Sequence, residues 1–372
     1  MDEAALEALT ERARRDVDAG LLPSSSWALA KDGEIIAGET IGDTPAGDDS
    51  RYVMFSCTKA IVASAIWQLL GEGSVKLEQR VAELIPEFGS NGKDVVTVEQ
   101  VLLHTGGFPH APLGPPKWAT REGRLEAFAK WRLNWEPGSK FEYHATSAHW
   151  VLAELLERVD GIDFRQSVRN RVLDPLGLPK LELGTTDTAD VARVRFVGTP
   201  ATSEELEAIL GVPGIEVGEV TEDALSMFAA DEPMAVGVPG GGAVARAQDL
   251  ALFYQGLLAN PGELWDPAVL ADATGHVRNT FPDPMRGVPV NRALAVIVAG
   301  DDGRSQFRGF GHGAPPRAFG HDGAGGQIAF ADPDSGVSFA WFTNGMERHL
   351  IKEGRRTIGI GTKACAVARS FA

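Results

Sequence analysis

The chain is poor in cysteine and in positive charge, and each shortage excludes a class of protein. Two cysteines among 372 residues, Cys57 and Cys365, cannot build a disulfide framework, and neither sits in a cluster spaced for zinc. Lys and Arg number 35 against 51 Asp and Glu, a formal charge of -16 whose field repels a nucleic-acid duplex or an anionic bilayer. No run is long and apolar enough for a membrane span. Met1 to Asp18 mixes both charge signs where a signal peptide has a basic start and an apolar core. These absences lead us to expect a cytoplasmic protein with no metal, no cofactor, and neither nucleic acid nor membrane as partner. No internal repeat is visible, and no Gly-x-Ser-x-Gly elbow occurs, which argues against an α/β-hydrolase esterase.

What is present reads as a globular enzyme-sized chain, 44% hydrophobic and 23% charged, long enough for a substantial core. Ala4 to Ala19 has apolar residues at helical spacing and stops at Gly20. Trp27 to Ala30 and Glu34 to Ile41 read as strands around Asp32-Gly33, a strong hairpin signal. From Phe55 to about Leu258 the pattern is mainly helical, over Thr97 to Leu103, Leu125 to Trp131, Ser147 to Val159, Phe164 to Leu173 and Ala247 to Leu258. Strands return at Leu294 to Ala299, Gln327 to Ala331 and Gly336 to Phe342. Met346 to Ala368 reads as a helix interrupted by Gly354, Gly359 and Gly361. A lone hairpin is marginal in water, so the early and late strands are expected to share one antiparallel sheet. The expected architecture is α+β: a mixed lobe of residues 1–55 plus 290–372, a mostly helical inserted lobe of 56–289, and an active site in the cleft between them.

Three segments carry candidate chemistry. In Ser56-Cys57-Thr58-Lys59 a serine and a lysine three apart share one face of a helix, and a partly desolvated lysine can lose its proton and serve the serine as base. The apolar run Ala60 to Leu70 marks that helix as buried. Ser90-Asn91-Gly92-Lys93 has the same spacing but lies among glycines, in a loop. Tyr143 follows a Pro-Gly turn and precedes the helix from Ser147, a position from which a hydroxyl could relay protons if a nearby cation lowered its pKa; an aromatic simply packed at a helix start would look the same. Gly320-His321-Asp322-Gly323-Ala324-Gly325-Gly326 leads into a strand whose edge amides could stabilise an oxyanion.

In this order the three segments resemble the motifs of the serine β-lactamase and penicillin-binding-protein superfamily, and most closely its class C β-lactamase-like branch, which includes family VIII carboxylesterases and D-amino-acid peptidases. Val96 to Pro109 and Gly240-Gly241-Gly242 are similar to further segments of that branch, with Gly106 where serine is usual. The resemblance implies a β-lactamase/DD-peptidase-like fold, with Ser56 as acylated nucleophile, Lys59 as its proton partner and Tyr143 as second general base and acid. It also implies an oxyanion hole from the backbone amides of Ser56 and Ala324. Substrate contacts are expected from His321, Asp322, Gly323 and the position of Ala145.

Two departures bear on substrate. Tyr143-His144-Ala145 lacks the amide of Tyr-x-Asn, and His321-Asp322-Gly323 stands where class C enzymes have Lys-Thr-Gly, replacing a permanent cation by a titratable ring. Both favour a neutral acyl ester over a lactam or peptide carboxylate. The expected partner is therefore a small acyl ester or amide; self-association is left open. A β-lactamase or D-amino-acid amidase, and a non-catalytic scaffold, are the alternatives. His104 reads as a structural hydrogen bonder, His144 and His149 as no metal pair because five residues separate them, and Cys57 as core. Trp118, Trp131, Trp135 and Trp150 read as core or acyl-pocket lining. Pocket walls are expected from Gly107 to Trp135 and from Pro200 to Pro239.

Overall fold

The computed structural model describes residues 1–211, 214 and 221–372. Its centre is one six-stranded, wholly antiparallel sheet built from β1 (Ser24–Lys31), β2 (Glu34–Gly42), β3 (Ile297–Val298), β4 (Phe319–Gly323), β5 (Gln327–Asp332) and β6 (Val337–Thr343). The spatial order is β2-β1-β6-β5-β4-β3, so the first strands of the chain pair with the last, as expected. At the first hairpin Asp32 and Gly33 take φ of 52° and 80°, the left-handed pair that a two-residue turn between twisted strands requires.

Alternation along the strands sorts side chains by size. Trp27, Leu29, Ile328, Phe330, Phe339 and Trp341 pack with α1 (Glu3–Asp18) and the C-terminal helix on one face. Ala28, Ala30, Ala329, Ala331 and Ala340 line the other, where small side chains let Leu250, Tyr254 and Leu257 of the helix Ala247–Ala259 approach closely. Gln255 ties that helix down, its amide donating to the carbonyls of Ala30 and Gly336.

Two expectations need correction. The strand expected over Leu294 to Ala299 is confined to Ile297–Val298, because Ala295 has φ of 67° and the chain turns back on itself, the Ala293 amide donating to the Val296 carbonyl. The last helix runs without interruption from Leu350 to Arg369; packing of its buried face outweighs the roughly 1 kcal/mol that each internal glycine costs. Met346 falls before it, in a short strand Gly345–Glu347 paired in parallel with Arg195–Val197. Among the described residues, no helix is long and apolar enough to cross a membrane.

Candidate active site

The helix that carries the first motif is the spine of the larger core. A 3-10 turn, Phe55–Cys57, leads directly into α2 (Thr58–Gly71), in which every residue from Thr58 to Leu69 is buried. Between Ser50 and Leu69 Ser56 alone is not buried, so the wall opens at its hydroxyl. Phe55, just before it, has φ of 43°, a costly conformation for a bulky residue and one that recurs where function fixes the backbone.

Lys59 is wholly buried, its Nζ lying 3.1 Å from Ser56 Oγ, 2.7 Å from the Ala145 carbonyl oxygen and 2.5 Å from that of Gly240. Burial, reinforced by the charge of Arg292, brings its pKa down from 10.5 to about 7. The two carbonyls oppose that shift, since they favour the ammonium. Gly240 must be a glycine here: a Cβ would stand 2.8 Å from the Ala145 oxygen and 3.5 Å from the amine.

Tyr143 comes from the segment before the helix Ser147–Asp160, as its sequence position suggested. Lys59 Nζ lies 4.9 Å from its ring centroid. Its hydroxyl faces Ser56 closely enough for the serine to ease ionisation, yet no hydrogen bond of normal geometry joins them. Burial dominates and pushes the phenol well above its ordinary range, so Tyr143 stays protonated near neutrality. The lowered pKa that the sequence reading made a condition is not met on balance, although Arg292, with Cζ 5.3 Å from the ring centroid, acts in that direction.

The third motif lies at the end of β4, against the Ser56 turn. Cys57 Sγ donates to the His321 carbonyl at 3.4 Å, and a Cβ on Gly323 would come within 2.8 Å of the Met54 carbonyl, so glycine allows the strand to close on the turn. Ala324 follows, partly buried against the cluster that holds Phe55 and Met346. The His321 ring is buried and not a cation: desolvation, then Arg292, hold its pKa well below the usual imidazole value. Its Nδ1 meets the Asp322 carbonyl at 2.6 Å and must be the protonated nitrogen, leaving Nε2 as an unpartnered acceptor. The Asp322 carboxylate is taken up by Arg286 at 2.5 Å.

Other candidates resolve into supporting roles. His104 Nδ1 accepts the His144 amide at 3.0 Å, and His144 bridges the Glu142 carbonyl and the Phe108 amide, with burial lowering its pKa to about 4. Trp118, Trp131 and Trp150 are buried in the core, while Trp135 is half-buried and donates to Glu142. Of the expected pocket walls, Trp118 meets Glu232 at 3.3 Å; residues 212–213 and 215–220 lie outside the described residues. Arg286, Arg292 and the carbonyl of Ala145 also belong to this site, and none of them carries a local signal in the sequence.

A family model described as Beta-lactamase matches residues 9–359. Esterase/beta-lactamase LipL of Mycobacterium tuberculosis is 30% identical over 333 residues, covering 83% of this chain and 73% of that one. Esterase EstB of Burkholderia gladioli is 27% identical, covering 73% of each. A penicillin-binding-protein homolog from Caulobacter crescentus superposes with a TM-score of 0.79 at 27% identity, covering 97% of both chains.

Proposed function

This chain belongs to the beta-lactamase family and is a serine hydrolase of carboxylic esters; on that premise we propose that its reaction runs through an acyl intermediate on Ser56. The observation that carries the reading is the sealed amine of Lys59, 3.1 Å from the hydroxyl of Ser56, the one residue between Ser50 and Leu69 that is not buried, and close under the Tyr143 ring. Neutral Lys59 takes the Ser56 proton as Oγ attacks the acyl carbon. The tetrahedral oxyanion is met by the backbone N–H groups of Ser56 and Ala324. The C–O bond of the ester then breaks, and the alkoxide takes a proton from the Tyr143 phenol, which the Lys59 ammonium replenishes. Water attacks the acyl-serine in the second half-reaction; its proton returns through the same groups to Ser56 Oγ, and the carboxylic acid leaves.

The active site in this reading occupies the cleft between a mixed lobe of residues 1–55 plus 290–372 and a helical lobe of 56–289. Neutral esters suit it because His321 is held uncharged and Asp322 is committed to Arg286. The test is a short-chain p-nitrophenyl ester against a chromogenic cephalosporin, with fluorophosphonate labelling of the wild type and Ser56→Ala. Ester turnover and labelling lost in Ser56→Ala are expected. Efficient lactam turnover with negligible ester cleavage would overturn the substrate, and labelling that survives Ser56→Ala would overturn the nucleophile.

A further inference from the structure

Arg292 is buried to 4% exposure, and its Nε and Nη1 have no hydrogen-bond partner. It makes no ion pair among the described residues. Its guanidinium stacks on Phe141 and Tyr143, with Cζ 5.5 and 5.3 Å from the ring centroids. Tyr143 thus has two basic side chains at one ring, Arg292 and Lys59. Of the other charged groups nearby, Arg286 pairs with Asp322 and Asp283, which leaves one carboxylate charge in excess, and the pull of Asp322 on Lys59 is weaker than the push of Arg292. His104, His149 and His321 are kept neutral by burial, and Cys57 remains a thiol for the same reason.

The backbone places this arginine with care. Arg292 and Asn279 exchange N–H to carbonyl bonds of 3.0 and 3.1 Å, Asn279 Nδ2 holds the Leu103 carbonyl at 3.0 Å, and Asn291 has φ of 44°. The loop is therefore anchored beside His104, behind Tyr143. Two like charges close to one ring in a low-dielectric interior repel strongly, and arginine does not give up its proton. Lysine does, so the pair relaxes by discharging Lys59.

We propose that Arg292 is a positioning residue for the acyl-transfer reaction, the fixed charge that adds to burial in keeping Lys59 in its basic form and clamps the ring of Tyr143. The inference rests on the ester-hydrolase reading above. It assigns a role to a residue that lies in none of the three motifs. The charge also acts on Tyr143, opposing burial and easing loss of its proton to the leaving alkoxide.

The test is the pH profile of kcat/KM for a neutral p-nitrophenyl ester in wild type, Arg292→Met and Arg292→Lys, with fluorophosphonate labelling rates and melting curves. In Arg292→Met the acid limb should move to higher pH by roughly one unit, so that activity falls about fivefold at neutrality, approaches a deficit of about tenfold at lower pH and recovers in alkali. Arg292→Lys should bring the limb back toward its wild-type position, and it decides the matter if the methionine variant does not fold. A folded Arg292→Met whose limb is unmoved overturns the proposal, as does a loss confined to KM for carboxylate-bearing esters, which would make Arg292 a substrate anchor. A wild type that fails to label sinks the hydrolase reading itself, whereas a labelled variant with an unmoved limb sinks only the role of Arg292.

Discussion

The imidazole of His104 lies stacked on the ring of Tyr143, centroids 4.9 Å apart and planes inclined by 28°. His104 has φ of 57°, and its Nδ1 accepts the backbone N–H of His144. A single residue thereby fixes both the ring and the backbone of the tyrosine segment from behind.

His104→Phe should keep the stack and lose the bond. The unpaired His144 amide costs about 1–3 kcal/mol, so melting temperature should drop clearly while kcat falls less than about tenfold. His104→Ala, which loses both, should show the larger fall in kcat; equal effects of the two on kcat would mean the stack does not matter.

Tyr143→Phe separates chemistry from stability. The hydroxyl has no hydrogen bond to lose, so melting should be unchanged or higher. Loss of the proton relay should lower kcat/KM for esters by about 10²–10⁴-fold. Activity close to wild type would assign the relay elsewhere.

Lys59 should govern two pH dependences. As the base it must be neutral, so kcat/KM should rise with pH through about 7. Between that value and 10.5 the unfolded chain holds a proton that the folded chain has released, so this group's contribution to stability rises with pH over that window and is lost as pH falls through about 7. Lys59→Met should be inactive, more stable than wild type at and below neutrality, and progressively less advantaged in alkali. Denaturant melts across pH check this; a constant difference between the two proteins would mean that Lys59 is not discharged on folding.

Gly240→Ala probes the seal around the amine. The added Cβ meets the Ala145 oxygen and pushes on Lys59, and small displacements of reacting groups cost about 10²-fold in rate. kcat should fall with KM little changed, in a protein that still melts cooperatively.

The second Ser-x-x-Lys segment offers a control. Ser90 Oγ donates to the Ala129 carbonyl at 2.7 Å, and Lys93 is sealed by the carbonyls of Ser90 and Trp131 at 2.6 and 2.5 Å, in a 3-10 turn rather than on an α-helix. Ser90→Ala should leave ester hydrolysis within roughly twofold and fluorophosphonate labelling intact. Loss of labelling would reverse the assignment of nucleophiles.

Features written into neighbouring residues were legible in the sequence. Asp32-Gly33 announces its hairpin through left-handed preferences, Asp332 to Ser335 its turn through bonds from the Asp334 and Ser335 amides to the Asp332 carboxylate, and Ser56-x-x-Lys59 its shared helical face. What completes the site is set by tertiary distance instead. Lys59 and Gly240 are 181 positions apart, and nothing near either predicts that a carbonyl of one will hold the amine of the other. Arg292 escaped because the stretch beyond it reads as a plain strand, whereas Ala295 reverses the chain there. His321 looked like a titratable substitute for a cation, and burial, which no local pattern encodes, is what keeps it neutral.

The helix that presents Ser56 is also the rod around which the larger core is packed, with no residue from Thr58 to Leu69 free of it. In the proposed mechanism cohesion and reactivity therefore descend together: a change on this rod that loosens the molecule also displaces Ser56, and large-to-small replacements such as Ile66→Ala cost about 2–5 kcal/mol. Laboratory evolution toward new esters will find its tolerated steps in the segments facing the opening, and the segment from Ser50 to Leu69 will be inherited as one block.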